Sequence, residues 1–266
     1  LHRLELLGPF LVRKDGWNEF FQSVGSRLTG ILVTQSPRID LEVIQTLVDN
    51  CPDLVELRLS EVGQMCDELA APLAKLSKLE SLDLSAPGTS LNDVAVIALL
   101  SSIGGNLKHL NLNDNTELSD DILPAILDHC TELRSLHLKN LALTDTAVAE
   151  FFTSLSAKGR HGLSVIDLEK GHDLGDAALK AVIKHSGSTV ENLSILGWRT
   201  ASKGALEQLA KCSAMRELNI GWCREVTDFV IKDILDGCEH LKSMRVWGEH
   251  GRDRLRMSLI DEFDRL

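Results

Sequence analysis

The stretch Cys212-Ser-Ala-Met215-Arg-Glu-Leu218-Asn-Ile220-Gly-Trp-Cys223, continued by Val226-Thr-Asp228 and by Ile231, Ile234 and Leu235 before Cys238 opens it again, decides how this chain folds. The alternation Leu218-x-Ile220 turns one set of side chains inward and leaves those between them outside, the period of a strand. From Asp228 onward, Val230, Ile231, Ile234 and Leu235 fall at helical spacing. Thr227 and Asp228 stand where side-chain oxygens would satisfy the first unpaired N–H groups of that helix. The segment is therefore a strand, a turn and a helix.

The same apolar-x-x-apolar-x-apolar core recurs at Leu1, Leu28, Leu54, Leu79, Leu107, Leu133, Leu163, Val190, Met215 and Leu241 as first members. The intervals are 27, 26, 25, 28, 26, 30, 27, 25 and 26 residues. These fall, give or take one, in the leucine-rich-repeat range of about 20 to 29 residues. Cys51 and Cys130 repeat the place of Cys212 and Cys238, three residues before the next strand. The Thr-Asp step returns as Asn92-Asp93, Ser119-Asp120, Thr144-Asp145 and Gly175-Asp176. This pattern resembles the cysteine-containing subfamily of leucine-rich repeats. One unit cannot bury its apolar face alone, so neighbours must stack. The expected fold is α/β: a leucine-rich-repeat solenoid, a right-handed arc of about ten strand-turn-helix units with a parallel concave sheet. Ten copies make 1–266 one domain, with 252–266 as a C-terminal cap in which Leu255, Leu259, Phe263 and Leu266 suggest an amphipathic helix. The chain opens on Leu1, without Met and inside a unit, so it is expected to be part of a longer protein.

Of 266 residues, 44% are hydrophobic, enough for a sizeable core, and the formal net charge is −11. That acidity argues against holding a phosphate backbone unaided, because such binding rests on Lys and Arg contacts. The six cysteines form no disulfide framework and fit free thiols in a reducing compartment. No apolar run approaches the roughly 20 residues that span a bilayer. Where the helix returns to the strand, Cys51, Cys130, Cys212 and Cys238 suit small buried side chains. Zinc is the competing reading, prompted by His129-Cys130 and Cys238-Glu239-His240, but neither has a C-x-x-C partner or four close ligands. No metal and no cofactor are expected.

Outward strand positions are the natural binding residues of such an arc. Through the middle they are polar and mixed, and His109 and His137 fall on neighbouring strands. Aromatic residues enter only in the last copies, where Glu217, Asn219 and Trp222 are followed by Arg245 and Trp247, with Leu196 one copy earlier. Trp and Arg are enriched in interface hot spots, so Trp222, Arg245, Trp247, Asn219, Leu196 and Glu217 are the candidate partner-binding residues. Two readings stay open for the tryptophans: a partner site, or packing beneath the C-terminal cap. Trp198 takes the slot of Cys223 and Asn115 and is assigned to the core. Lys158 and Arg160 in the longest interval, with Arg252, Arg254 and Arg256, could touch phosphate, though such runs are more often solvated surface. No phosphate-binding glycine loop, nucleophile elbow or zinc-protease motif occurs, and no nucleophile shows an evident base at repeat spacing, so no enzyme is expected.

More specific wording adds a resemblance. Leu4-Glu-Leu-Leu-Gly-Pro-Phe-Leu11, Trp17-Asn-Glu-Phe-Phe21, Lys184-His-Ser-Gly187, Asn219-Ile-Gly-Trp-Cys-Arg224 and Val246-Trp-Gly248 resemble the leucine-rich-repeat region of the fungal nucleotide-excision-repair family called radiation-sensitive seven. The resemblance implies a non-enzymatic nuclear scaffold that pairs with a Swi/Snf-type ATPase, helps recognise ultraviolet lesions, and joins a cullin ubiquitin ligase through an elongin-C-like adaptor. It also implies contact with damaged DNA only within the complex, and adaptor contact through family segments upstream of the repeats. The alternative is a substrate-receptor arc of an F-box or mitotic-exit-regulator kind, similar in its cysteine-containing repeats. An arc of the Ran GTPase-activating kind fits less well, because its units are longer and lack the cysteine pattern.

Overall fold

In the computed structural model, which describes residues 1–62, 67–85 and 91–247, the chain divides into two compact units, Leu1–Leu133 and Arg134–Leu266. In the first, β1 (Arg3–Leu7), β2 (Gly30–Thr34), β3 (Glu56–Ser60), β4 (Ser81–Asp83) and β5 (His109–Asn111) pair in parallel and in chain order. They alternate with α1 (Lys14–Val24), α2 (Leu41–Asn50), α3 (Ala70–Leu73), α4 (Asp93–Ile103) and α5 (Ile122–His129). In the second, β6 (Ser135–His137), β7 (Val165–Asp167), β8 (Asn192–Ser194), β9 (Glu217–Asn219) and β10 (Ser243–Arg245) pair in the same way. Between them run α6 (Asp145–Ala157), α7 (Asp176–Ser186), α8 (Lys203–Leu206) and α9 (Asp228–Gly237).

Register follows the apolar triplets. Ile31, Leu57, Leu82 and Leu110 stand side by side in the first unit, and Leu136, Ile166, Leu193 and Leu218 in the second, all buried. Burying each such side chain is worth about 2 kcal/mol. The end copies depart from the expectation of full burial: Leu1 is exposed, and Leu4, Leu6, Leu241, Met244 and Val246 are half-buried. Their strands have a described neighbour on one side only.

One inward slot, three residues past the last member of the triplet, recurs with a different solution each time. There Asn115 Nδ2 donates to the Leu84 carbonyl at 3.0 Å, Trp198 Nε1 to Leu168 at 2.8 Å and Cys223 Sγ to Ile195 at 3.4 Å. Each accepting carbonyl belongs to the third member of the preceding triplet, so a buried donor ties each of these units to the one before it. Trp198, fully buried, is a core residue as its slot indicated.

Helix starts follow the capping reading in part. Asp40, Asn92, Thr144, Ser202 and Thr227 each accept from the backbone N–H three residues on. The Ser119-Asp120 step departs from it: α5 starts later, at Ile122, and its N-cap Asp121 makes no side-chain bond. Gly175 has no side chain to offer, and Asp145 of the preceding helix supplies the acceptor, reaching Gly175 N and Ala178 N at 2.8 Å each. This belongs to a ladder in which an acidic residue of one unit receives the helix start of the next. Asp67 accepts from Asn92 N at 2.9 Å, Asp93 from Ser119 N and Oγ at 2.9 and 2.7 Å, and Asp176 from Ser202 N and Oγ at 2.7 and 2.6 Å.

Substituting Leu110→Asp should abolish the cooperative thermal transition followed by circular dichroism, because it places an unpaired charge in the buried column beside Leu82. A parent-like melt would show the register to be wrong. Burial raises the Asp176 carboxyl's pKa, but the Ser202 hydroxyl and N–H more than offset this and hold it below the usual 3.8. Its contribution is therefore full above the ordinary carboxylate range and lost as pH falls through the lowered value. Asp176→Asn should melt lower at neutral pH and lose less on acidification below about pH 4 than the parent does.

Candidate partner-binding surface

Parallel register in the second unit lays the outward side chains in rows. Val165, Asn192, Glu217 and Ser243 form one, and Asp167, Ser194, Asn219 and Arg245 the next. The outward side chains of β8, Asn192 and Ser194, are shorter than Glu169 on one side and than Glu217 and Arg245 on the other. The difference leaves a cavity of about 330 Å³ between Asp167 and Glu169 on one wall and Glu217 and Arg245 on the other.

Its floor is tied by hydrogen bonds that span three strands. Glu169 Oε1 accepts from Ser194 Oγ at 2.6 Å and from Asn219 Nδ2 at 2.8 Å, while Lys139 Nζ lies 3.6 Å from Oε2. Asn219, expected outward and available, is only 8% exposed. Its amide is consumed by Glu169, so it positions a carboxylate rather than meeting a partner. The Asp167 wall holds a group missed in sequence: Ser135 Oγ lies 2.9 Å from His137 Nε2, and His137 Nδ1 lies 3.7 Å from Asp167 Oδ2. Ser135 and His137 are two residues apart on one strand, a spacing that puts them on the same face. The sequence reading sought a nucleophile and base at repeat spacing, which a pair within one strand does not meet. The order is that of a serine nucleophile, but the histidine–carboxylate link is longer than a hydrogen bond and the serine is 5% exposed, so the group serves as wall.

Beyond the strands, the backbone turns left-handed at the eighth position of every unit in which that position is described. Gln35, Glu61, Asp114, Asn140, Lys170 and Trp222 have φ between 53° and 63°, and Gly8 and Gly197 hold the corresponding places. For a residue as bulky as Trp222 this is costly, of order 1–3 kcal/mol. The turn leaves its ring 40% exposed. Trp247 is 45% exposed, and its carbonyl accepts from Trp222 N at 2.6 Å. Its indole lies over Gly221, where a Cβ would meet Nε1 at 3.0 Å and Cε2 at 3.2 Å. Trp222, Trp247 and Arg245 thus gather at the ends of β9 and β10, with half-buried Leu196 at the position equivalent to Gly221 one unit back, and exposed Glu217 across the cavity.

The other expected residues lie elsewhere. Lys158 caps α6 and Arg160 is half-buried, its Nε shielded from solvent, and neither lines the cavity. Arg252, Arg254 and Arg256, and the 252–266 cap with them, fall outside the described residues. His109 is exposed on β5 of the first unit. Cys51, Cys130, Cys212 and Cys238 are buried at helix ends, and burial pushes the first three thiols to about 12, so they are neutral rather than thiolate ligands. Among the described residues no three His, Cys, Asp or Glu side chains gather as a metal would need.

Parallel strands in repeat register, helices returning behind them, and a side-chain donor bonded to the preceding unit define a leucine-rich-repeat protein. More closely, the chain is homologous to DNA repair proteins: it is 32% identical over 247 residues, 91% of its length, to DNA repair protein rhp7 of Schizosaccharomyces pombe. It is 26% identical over 94% of its length to DNA repair protein RAD7 of Saccharomyces cerevisiae. The chain spans less than half of these relatives, 44% and 45%. F-box/LRR-repeat protein 4 of Bos taurus matches at 26% over 51% of the chain. The fold is that of the crystal structure of the Rad7 and Elc1 complex in yeast, with TM-score 0.82 over 96% of this chain and 67% of that one, at 24% identity. No protein-family model matches.

Substituting Gly221→Ala should force the Trp247 ring off the surface. Acrylamide quenching of tryptophan fluorescence should rise while the fold survives with a loss of about 1–3 kcal/mol, the usual cost of added bulk. Unchanged quenching would show that the ring does not rest on Gly221.

Proposed function

We propose that this chain is a non-enzymatic protein-interaction scaffold of a DNA-damage recognition complex in global-genome nucleotide excision repair. The observation that carries this reading is the 32% identity to DNA repair protein rhp7 along nine tenths of the chain. In this role it works in the nucleus with a Swi/Snf-type ATPase and reaches a cullin ubiquitin ligase through an elongin-C-like adaptor. The fold shared with a Rad7 chain solved together with Elc1 supports the adaptor. The family resemblance supports the ATPase and the cullin. A net charge of −11 favours contact with damaged DNA through partners rather than through this chain. Among the described residues no helix is long and apolar enough to cross a membrane. The F-box alternative has the weaker support, a match to half the chain.

The partner surface in this reading is the end of β9 and β10, where Trp222 and Trp247 stand exposed on a polar face beside Arg245. Interface energy concentrates in a few such residues. Carried together in the full-length protein, Trp222→Ala and Trp247→Ala should weaken capture of the ATPase by about 2 kcal/mol, roughly thirtyfold, with the melting temperature near that of the parent. Co-precipitation from ultraviolet-irradiated cells checks this. Recovery of cell-cycle substrates with an F-box adaptor by the parent would overturn the repair reading, and undiminished capture by the double variant would move the partner site elsewhere.

A further inference from the structure

We propose that the rim of the second unit where helices return to strands, marked by Arg134, Lys184, Lys211 and Lys242, rests against the phosphate backbone of duplex DNA without reading its sequence. The inference deepens the repair reading and rests on it: partners supply the tight contact, and this rim adds a sequence-independent one.

The net charge of −11 hides where the charge lies. Residues 1–133 carry 9 Lys and Arg against 20 Asp and Glu, whereas 134–266 carry 19 against 19, so the whole excess belongs to the first unit. The two units also treat the same rim differently. In the first, Lys75, Lys78 and Lys108 meet Asp49, Asp53 and Glu80 of the preceding repeat at 2.5 to 3.1 Å, and among its described rim cations Arg27 alone forms no ion pair. In the second, Arg216 meets Glu191 at 3.0 Å, but Arg134, Lys184, Lys211 and Lys242 are exposed and form no ion pair among the described residues.

These cations stand in two adjoining rows. One runs along the strand starts, where Ser164 N donates to the Arg134 carbonyl, Glu191 N to Ser164, Arg216 N to Glu191 and Lys242 N to Arg216, at 2.7 to 2.8 Å. Neighbouring strands lie about 4.8 Å apart, so Arg134 and Lys242 are separated by about 19 Å, the rise of about five base pairs. The other row follows the helix ends of successive repeats, with Lys158 capping α6, Lys184 in the last turn of α7 and Lys211 closing the short helix Glu207–Lys211. Acids here are fewer: Glu191 and Glu207 are held by Arg216 and Lys203, and Asp236 and Glu239 stand at the end of α9.

Uncharged groups select the ligand. Among the described residues no large apolar side chain is exposed on this rim, so an acidic peptide finds no anchor of the kind that concentrates interface energy, and a single strand finds no ring on which to stack its bases. Exposed Ser188 and Ser213 follow Lys184 and Lys211 on the same rim instead. Lys, Arg and Ser are side chains that contact phosphate oxygens, which a duplex presents while its bases stay inside.

The experiment follows binding of the 266-residue chain to a labelled duplex of mixed sequence, by fluorescence anisotropy, as salt is raised. Each phosphate contact contributes about 0.9 to the slope of log K against log salt, so Lys184→Gln with Lys211→Gln should flatten that slope by about 1.8 and weaken binding at least fivefold at low salt. Lys75→Gln with Lys108→Gln, which removes the same charge from the first unit, should change affinity less than twofold. No duplex binding at low salt, equal losses in the two double variants, an unaltered slope, or tighter binding of a single strand or of polyglutamate than of duplex would overturn the proposal. Such a failure together with tryptophan-dependent capture of the ATPase leaves the scaffold reading standing, with DNA held by partners alone. Rim-dependent duplex binding by a chain that recovers an F-box adaptor keeps the rim and removes its repair role.

Discussion

Everything on the outer face of this protein is dictated by the column of inward aliphatic side chains beneath it. A strand of three residues such as β4 or β8 holds few hydrogen bonds and is not stable alone. It persists because Leu82 or Leu193 packs against the same position of the unit before and the unit after. Since side chains alternate at a period of two, fixing that column fixes which residues face out, and parallel register then aligns them in rows. The cavity between Asp167 and Arg245 is thus a by-product of residue size along a row whose direction the core has set.

The buried polar groups answer a related constraint. At the left-handed turn a strand stops and its last carbonyls must find donors in the interior, where an unmet group costs about 1–3 kcal/mol. Asparagine, tryptophan and cysteine supply that donor at one equivalent place in three units, with different lengths and polarities. Variation at this place is therefore chemical substitution under one geometric demand. It explains why the slot looks irregular in sequence and regular in space.

The fold was legible because the repeat is written in residue types that bury: each triplet from Leu28 to Met215 lands on a strand or its flanks. Trp198 could be assigned to the interior because position alone decided it. Trp222 and Trp247 could be placed together for the same reason. Legibility failed where a side chain's fate depends on its neighbour in space. Asn219 reads as an outward polar residue, but Glu169, fifty residues earlier, reaches across and takes its amide. Ser135 is too small to draw notice until His137 is seen beside it. Half-burial of Leu4 and Leu241 cannot be told from spacing, since the pattern of an end unit is the same as that of an inner one.

The aspartate ladder has a direction. Asp93 serves Ser119, Asp145 serves Gly175 and Asp176 serves Ser202, always from the earlier unit to the later. Peeling the stack from its low-numbered end therefore strips an acceptor from a helix start that remains inside, whereas peeling from the other end only returns a carboxylate to water. The two ends of such a stack are not mechanically equivalent. Pulled apart, each unit should give way cooperatively in one sense and singly in the other, so the polarity of the chain becomes a polarity of strength.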